Sequence, residues 1–457
     1  MEAQHDWARE RPTDGWSFES RQLRTALPER VVRNFAEGWD EVVRAGGGGR
    51  SRTPRMSKSG VVRRGGRRFQ MTSRSRAKAS RKVKPKGAEE QGDAVPFQLE
   101  RLPLVIEPEP GNPTEAEGVL NPAAARGRDG ALYLFPRLVA RGNYSRIGIA
   151  RVRFDDSGDP AAVERLGIAL RPEEEYERRG CEDPRITYVE QLNRYVMTYT
   201  AFSDRGPRIA LAVSDDLSHW RRLGLVRFEP HEGINFGDVN NKDALVFPIP
   251  VPNPSGRPSL ALIHRPLFPG TEPDQLAAGP QPRTVDLPHE SLWLSYCDLS
   301  MGADGFDHLT HYQEHHRLAS PVAPWERVKV GGGAPPVRIG DNWLVLYHGV
   351  SSEASADGGA EAMRYSAGAL VLDRHDPRVI RYRSPEPILV AETPEETEGV
   401  VANVVFPTGA DRRLDLGQPN RIDVYYGMAD RRIGVAKLTV PPTLPPGALA
   451  DPHEGLV

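Results

Sequence analysis

An aspartate followed by proline is a candidate catalytic acid: Asp183, in the run Cys181-Glu182-Asp183-Pro184-Arg185. Proline restricts the preceding residue to extended conformations, and Gly180 favours a tight approach to a strand. We therefore expect the Asp183 carboxyl group to be presented at the start of a strand, where it could donate a proton to a leaving group. The alternative is an ordinary turn aspartate without a chemical role.

Four basic residues lie near the starts or ends of later predicted strands: Lys242, Arg265, Lys329 and His348. Taken singly, each is better explained as a solvated cation or a salt-bridge partner. However, Arg265 in LALIHRP and His348 in WLVLYHGV occupy the same place in consecutive repeats of the chain. Four positive donors near one site would hold a dianion such as phosphate, arginine through its fork and lysine as a point charge.

An acidic cluster, Glu395, Glu396 and Glu398, lies before Val400. It could bind sugar hydroxyls, supply a base for water or form a charged loop; we favour the loop for Glu395 and a substrate role for Glu398. An inverting glycosidase needs a second carboxylate to deprotonate water, whereas phosphate is already an anionic nucleophile. With phosphate, one protein acid would be enough.

Other conspicuous residues have simpler explanations. Tryptophans within strands usually pack in the core, which we expect for Trp293, Trp325 and Trp343. The glycines at 331–333 lack the following Lys-Ser or Lys-Thr and the helix of a nucleotide-binding loop. No Cys-x-x-Cys pair or His-Glu-x-x-His motif is present, so we predict no metal site and no cofactor.

Repeated β-rich units should position these residues. From about residue 96 onward, short apolar runs alternate with Gly, Pro, Asn and Asp, which is typical of an all-β domain. Five copies of one unit are recognisable, beginning near Asn121, Asp183, Lys242, Gly333 and Asn403. Such repetition indicates a five-bladed β-propeller, in which the polar starts of the innermost strands converge on one end of the central channel.

Composition divides the chain further. Residues 50–86 contain 15 Lys or Arg and no acid, within a predicted, largely disordered extension at 1–95. We expect the propeller at 96–445 and a tail at 446–457, and we expect no nucleic acid or acidic partner on the basic run. The start lacks a secretory signal, no apolar run approaches the roughly 20 residues of a membrane span, and there are two cysteines. A cytoplasmic location fits best.

The sequence resembles the inverting β-mannoside phosphorylases and related β-mannosidases of glycoside hydrolase family 130. The resemblance extends from about residue 100 to 440, leaving out 267–289, and it depends on several motifs in the same order. These are Asn121-Pro122 with Arg137, GCEDPRIT, NKDALVFP, LIHRP, KVGGGAPPV with WLVLYHG, ETEGVVANVVFPTG and YYGMAD.

The resemblance implies a five-bladed propeller in which Asp183 is the general acid, its proton passing through the mannose 3-hydroxyl. Phosphate would attack the anomeric carbon from the other side and yield α-mannose 1-phosphate. By motif, the phosphate ligands would be Lys242, Arg265, Lys329 and His348. The mannose would be held by Asn121, Arg137 and Asp430.

Two alternatives remain open at this point. A β-mannosidase would use water, with Glu396 or Glu398 as the base, whereas a non-catalytic propeller would only bind carbohydrate. The family's hydrolases lose the cationic set that this chain retains, which favours a phosphorylase. The sequence leaves the linkage and the acceptor sugar open, and it permits a homo-oligomer.

Overall fold

The computed structural model describes residues 97–231, 234–237, 239–268, 290–301, 305–353, 362–444 and 451. All of them belong to one compact unit, Asp93–Val457. The predicted extension at 1–95, with its basic run at 50–86, lies outside the described residues, as does the predicted tail at 446–457 except for Asp451. The predicted limits of the propeller, 96 and 445, therefore stay predictions.

Short strands make up most of the described chain, as the alternation of apolar runs and turn residues predicts. The first strand is β1 (Gln98–Ile106). Blade 1 consists of β2 (Gly118–Arg126), β3 (Leu132–Ala140), β4 (Tyr144–Phe154) and β5 (Pro160–Leu170). Blade 2 consists of β6 (Gly180–Val189), β7 (Arg194–Ser203), β8 (Gly206–Ser214) and β9 (Arg221–Leu225). A parallel pairing of Ser145 with Gly180 joins these two blades into one sheet.

The remaining blades follow in chain order. Blade 3 contains β10 (Arg227–Phe228), β11 (Asn240–Val246), β12 (Val251–Pro252), β13 (Pro258–Leu267), β14 (Leu292–Asp298) and β15 (His311–Ala319). Blade 4 contains β16 (Lys329–Gly332), β17 (Val337–Ile339), β18 (Asn342–Glu353), β19 (Ala362–Asp373) and β20 (Ile380–Arg383). Blade 5 contains β21 (Val405–Arg412), β22 (Arg421–Met428) and β23 (Arg432–Thr439).

Helix is confined to short turns in the described chain. One α-helical turn spans Pro394–Thr397, between blades 4 and 5. The 3-10 turns are Pro113–Glu115, Glu175–Glu177, Glu190–Leu192, Leu299–Met301, Asp307–Thr310, Pro324–Glu326 and Leu414–Leu416. No helix among the described residues is long and apolar enough to cross a membrane.

The ring is closed by pairing the first strand with the last. β1 runs antiparallel to β23, from Gln98 opposite Thr439 to Ile106 opposite Ile433, and so completes the four-stranded sheet of blade 5. Because β23 now pairs with β1 on one side and with β22 on the other, it has no free edge. The sequence repeats did not predict the role of β1.

The core lies between the blades. Five clusters of buried apolar side chains occur among the described residues, one between each pair of neighbouring blades around the ring, including blades 5 and 1. Trp293, Trp325 and Trp343 belong to these clusters, as expected for core tryptophans. The predicted all-β, five-bladed propeller is confirmed.

The innermost strands of blades 1 to 3 carry a bulge at the same place. The cross-strand register shifts at Asn121, Asp183 and Asp243, whose φ angles are 44°, 45° and 59°. The expected extended backbone at Asp183 is therefore wrong. The residue at each of these bulges is left-handed, and aspartate and asparagine tolerate that conformation better than most other side chains with a Cβ atom.

Candidate active site

Asp183 is buried and held by two donors from blade 1. Its side chain is 12% exposed. Its Oδ1 accepts hydrogen bonds from Asn121 Nδ2 at 2.9 Å and from Arg137 Nη1 at 3.3 Å. The matching bulges of β2 and β6 bring Asn121 and Asp183 together, and Arg137 lies opposite Leu120 on β3. The three predicted residues thus form one contact group.

The Arg137 guanidinium group also donates hydrogen bonds to several other acceptors around the candidate acid. Its Nη2 pairs with Glu182 Oε1 at 2.8 Å and donates to Asn143 Oδ1 at 2.9 Å, while its Nε donates to Ser145 Oγ at 2.8 Å. These contacts fix the plane of the guanidinium group. Arg137 is therefore a rigid donor on one side of Asp183.

Three carboxyl groups surround this single guanidinium group. Burial raises the pKa of Asp430 to about 6; Arg137 opposes the shift, and the charges of Asp183 and Glu182 add to it. Burial also raises the pKa of Glu182, against Arg137 and with Asp183. Because like charges disfavour simultaneous ionisation, the cluster retains a proton more readily than three isolated carboxyl groups would. Such a cluster is suited to acid catalysis.

The predicted cations gather around Asp243, a residue that the sequence reasoning missed. Arg265 lies opposite Lys242 on the neighbouring strand, and its Nε donates to Asp243 Oδ2 at 2.7 Å. His348 Nε2 is 3.9 Å from the same oxygen. Burial disfavours the Asp243 anion, but the neighbouring basic groups, Arg265 above all and then Arg185 and Lys242, outweigh burial and lower its pKa. Asp243 is therefore the ionised centre of the group.

Two of the predicted phosphate ligands carry free ammonium groups. Lys242 and Lys329 are both half-buried, and their ammonium groups form no hydrogen bond or ion pair with the other residues that the structure describes. Lys329 Nζ lies 5.7 Å from the centre of the Tyr365 ring. Burial lowers the pKa of Lys242, and Arg265 and Lys329 add to this effect against Asp243 and Glu182. These two groups are available to an anion.

His348 differs from the positive donor expected from sequence. Its side chain is almost completely buried, and burial lowers its pKa to about 3 despite the opposing charge of Asp243. The imidazole is therefore neutral near pH 7, and its Nδ1 has no hydrogen-bond partner among the residues that the structure describes. A neutral imidazole can still donate one hydrogen bond to an anion.

The three glycines at 331–333 make room for this arrangement. A Cβ atom on Gly331 would lie 2.2 Å from His348 Cε1 and 2.6 Å from Asp243 Oδ2. The carbonyl groups of Gly332 and Gly333 accept from Arg185 at 3.1 Å each, and Arg185 Nη1 donates to the Asp183 carbonyl at 2.9 Å. The buried Arg185 therefore ties the candidate acid to the cation group.

A second missed residue is Glu290, which forms an ion pair with Arg265 Nη1. Its backbone carbonyl accepts from Val330 N at 3.2 Å, beside Lys329. No sequence signal identified Glu290, because it ends a segment without repeat or motif. Asp243 had a signal, since Lys242-Asp243-Ala244 matches Glu182-Asp183-Pro184 position by position.

The acidic cluster that precedes blade 5 is divided between surface and core. Glu398 is exposed, and its side chain forms no hydrogen bond or ion pair with the other described residues. Glu396 is fully buried and accepts from Arg101 Nε at 2.8 Å and Tyr426 Oη at 2.9 Å, besides two backbone amides. These donors occupy its carboxylate, so the idea that Glu396 is a base for water is wrong.

Comparison with known proteins identifies the family. The family profile described as beta-1,4-mannooligosaccharide phosphorylase matches residues 99–443, three quarters of the chain. The chain belongs to glycoside hydrolase family 130. A 1,2-beta-oligomannan phosphorylase of Thermoanaerobacter sp. (strain X514) is 33% identical over 341 residues, which are 73% of this chain and 94% of the relative. A beta-1,2-mannobiose phosphorylase of the same organism is 33% identical over 260 residues, 56% of this chain and 66% of that protein.

A solved structure supports the fold of this family 130 chain. The beta-1,2-mannobiose phosphorylase of Listeria innocua superposes with a TM-score of 0.55 at 21% identity, over 75% of this chain and 97% of that protein. The predicted resemblance is confirmed, and the chain is an enzyme of a mannoside phosphorylase family. Among the described residues, no group of three or more His, Cys, Asp or Glu side chains could hold a metal ion.

Proposed function

We propose that this family 130 enzyme cleaves a β-mannoside with inorganic phosphate and inverts the anomeric configuration, releasing α-mannose 1-phosphate. The observation that carries the proposal is the pair of half-buried ammonium groups, Lys242 and Lys329, without a carboxylate partner among the described residues. Burying a charge without a counter-ion is costly, so such a pair favours an anionic ligand. Arg265 and His348 would add donors to the same ligand.

The reaction follows from the two halves of the site. Asn121, Arg137 and Asp430 would hold the mannose, and Asp183 would supply the proton. A phosphate oxygen forms a bond to the anomeric carbon while the bond to the leaving oxygen breaks. The leaving oxygen takes the proton of the mannose 3-hydroxyl, which in turn receives the proton of Asp183. The acceptor sugar departs as a neutral alcohol.

A β-mannosidase is the second candidate, because Glu398 is an exposed carboxylate that could activate water. The two activities differ in their need for phosphate. Incubation with β-linked mannooligosaccharides should give mannose 1-phosphate in proportion to added phosphate. Release of free mannose at the same rate without phosphate would contradict the proposal and favour the hydrolase.

Replacing Asp183 tests its role as the acid. The Asp183→Asn variant keeps the shape of the side chain and suits the left-handed backbone, but it has no proton to donate. We expect kcat to fall by about a hundredfold or more with little change in thermal stability. Unchanged turnover would exclude Asp183 from proton transfer, and no turnover in wild type with any mannoside would favour a non-catalytic binding propeller.

The names of the relatives suggest the first substrates to test. Two similar proteins are named for β-1,2-linked mannosides, another is named a beta-1,4-mannooligosaccharide phosphorylase, and another a 4-O-beta-D-mannosyl-D-glucose phosphorylase. We propose β-1,2-linked mannooligosaccharides as the preferred substrates. Comparing kcat/KM for the three classes would decide; a higher value for either other class would contradict the proposal.

We also propose that the reaction takes place in the cytoplasm. Cys181 and Cys297 are both free thiols and both buried, which fits a reducing compartment. Fractionation of the native cells, with the mannoside-dependent formation of mannose 1-phosphate as the marker, would test this location.

A further inference from the structure

A chain of buried side-chain hydrogen bonds crosses the whole of blade 3. Asn241 on β11 lies 3.0 Å from His264 Nδ1 on β13, measured from its Nδ2. His264 Nε2 is 2.7 Å from Ser295 Oγ on β14, and Ser295 Oγ is 2.7 Å from His315 Nδ1 on β15. The chain ends where His315 Nε2 meets the backbone carbonyl of Glu229 at 2.7 Å.

The direction of every hydrogen bond in this chain follows from its last member. A carbonyl oxygen only accepts, so His315 carries its proton on Nε2, and its Nδ1 accepts from the Ser295 hydroxyl group. The Ser295 oxygen then accepts from His264 Nε2, which leaves His264 Nδ1 to accept from the amide of Asn241. Both imidazoles are neutral in this pattern, and burial lowers the pKa of His315 to about 4 and that of His264 well below its usual value.

The chain lies directly behind two proposed phosphate ligands. Asn241 precedes Lys242 on β11, His264 precedes Arg265 on β13, and Lys242 lies opposite Arg265 in the register of the two strands. Side chains alternate between the two faces of a strand, so Asn241 and His264 face away from the ligand side. A fixed hydrogen bond between them fixes the relative position of the two strands at this point.

We propose that Asn241, His264, Ser295 and His315 are positioning residues that hold Lys242 and Arg265 at the separation required for phosphate. The proposal rests on the proposed function, since it takes phosphate as the ligand of these cations. All four side chains are at least 96% buried, so water cannot replace a lost partner. Loss of one hydrogen bond in this chain should therefore change the separation of Lys242 and Arg265.

The Ser295→Ala variant removes the middle link and leaves two ring nitrogens without partners. We expect the KM for phosphate to rise about tenfold while the KM for the mannoside stays unchanged. Ser295→Thr, which keeps the hydroxyl group, should restore most of the phosphate affinity. The matched control is Ser384→Ala, which also removes a fully buried hydroxyl group. Ser384 follows the last strand of blade 4 and is not a member of the hydrogen-bond chain in blade 3.

Equal changes in both KM values, or the same kinetics in the Ser295→Ala and Ser384→Ala variants, would overturn the proposal. A second measurement does not depend on folding of a variant. Nitrogen NMR of the wild-type protein labelled at histidine should show His264 and His315 protonated at Nε2 and not titrating between about pH 6 and about pH 8. Protonation at Nδ1, or titration in this range, would contradict the chain.

Failure of this inference can be told apart from failure of the proposed function. Calorimetric titration with inorganic phosphate measures binding without turnover. A wild-type protein that binds phosphate, together with a Ser295→Ala variant that binds it with the same Kd, overturns the positioning role alone. A wild-type protein that binds no phosphate overturns the proposed function and, with it, the positioning role.

Discussion

At the scale of single residues, the acid half of the site is governed by the competition of Asp183, Glu182 and Asp430 for Arg137. Burial makes the ionised form of Asp430 unfavourable and raises its pKa to about 6. At pH values between 3.8, the ordinary pKa of an aspartate, and about 6, the folded protein keeps a proton on Asp430 that the unfolded chain releases. Stability is therefore lost as the pH rises through this window.

The Asp430→Asn variant removes that penalty. We expect the free energy of unfolding at pH 7 to increase by roughly 1–3 kcal/mol, a gain that shrinks as the pH falls from 6 towards 3.8. The kcat/KM for the mannoside should fall, because the side chain loses a hydrogen-bond acceptor. Urea unfolding at several pH values measures the gain, with the exposed Asp156→Asn variant as control; a pH-independent gain would contradict the explanation.

Glu290 makes the phosphate half less positive than sequence suggests. It forms an ion pair with Arg265, whose other side is taken by Asp243. The Glu290→Gln variant removes a competing anion, so we expect the KM for phosphate to fall by roughly three- to tenfold. The effect should weaken at high salt.

Initial rates over a range of phosphate concentrations test this expectation. The exposed Glu386→Gln variant changes the same charge elsewhere and should leave the KM for phosphate unaltered. A higher KM in Glu290→Gln would instead show that Glu290 orients Arg265 for its ligand.

The sequence predicted most members of the site but not their protonation states. Asp183, Asn121 and Arg137 were predicted and lie in contact. Of the four predicted cations, Arg265 pairs with Asp243 and His348 lies beside it. The neutral state of His348 could not be predicted, because it results from burial under neighbouring blades. The chemical roles of all these site residues remain predictions.

At the scale of elements, the bulge on each of the first three inner strands decides where side chains point. The repeats predicted that polar residues start these strands, but the third unit was matched at Lys242 when its bulge residue is Asp243. A shift of one residue moves a side chain to the other face of a strand. Register, and not composition, was the missing information.

Strand β16 of blade 4 has glycine where the other inner strands carry side chains. The Gly331→Ala variant tests whether the site needs this glycine. The added Cβ would displace His348 and Asp243, so we expect the KM for phosphate to rise about tenfold or more. The control is Gly237→Ala, an exposed glycine whose Cβ would meet no atom of the described residues nearer than 3.3 Å. Unchanged phosphate kinetics in Gly331→Ala would mean that His348 does not contact phosphate.

At the scale of the whole molecule, β1 closes the ring, and Arg101 on this strand pairs with the buried Glu396 in the helical turn between blades 4 and 5. A truncation that removes residues 1–95 leaves β1 intact, and we expect activity and Tm to stay unchanged. A truncation that removes residues 1–106 deletes the strand and exposes the edge of β23. It should lower Tm sharply or prevent folding.

Thermal melts of both truncated proteins, monitored by circular dichroism with activity assays alongside, measure this difference. Equal stability of the two would show that β1 is dispensable. Loss of activity on removal of residues 1–95, with Tm unchanged, would assign these residues a role beyond tethering or solubility.

The left-handed bulges at Asn121, Asp183 and Asp243 also have an evolutionary consequence. At such a backbone position asparagine and aspartate are tolerated almost equally, and their codons differ by a single base. A propeller built from duplicated blades thus offers the same position several times around its channel. At each of them, one nucleotide change can exchange an amide for an acid without disturbing the backbone, so a catalytic group can be gained or lost in one mutational step and moved to another blade in two.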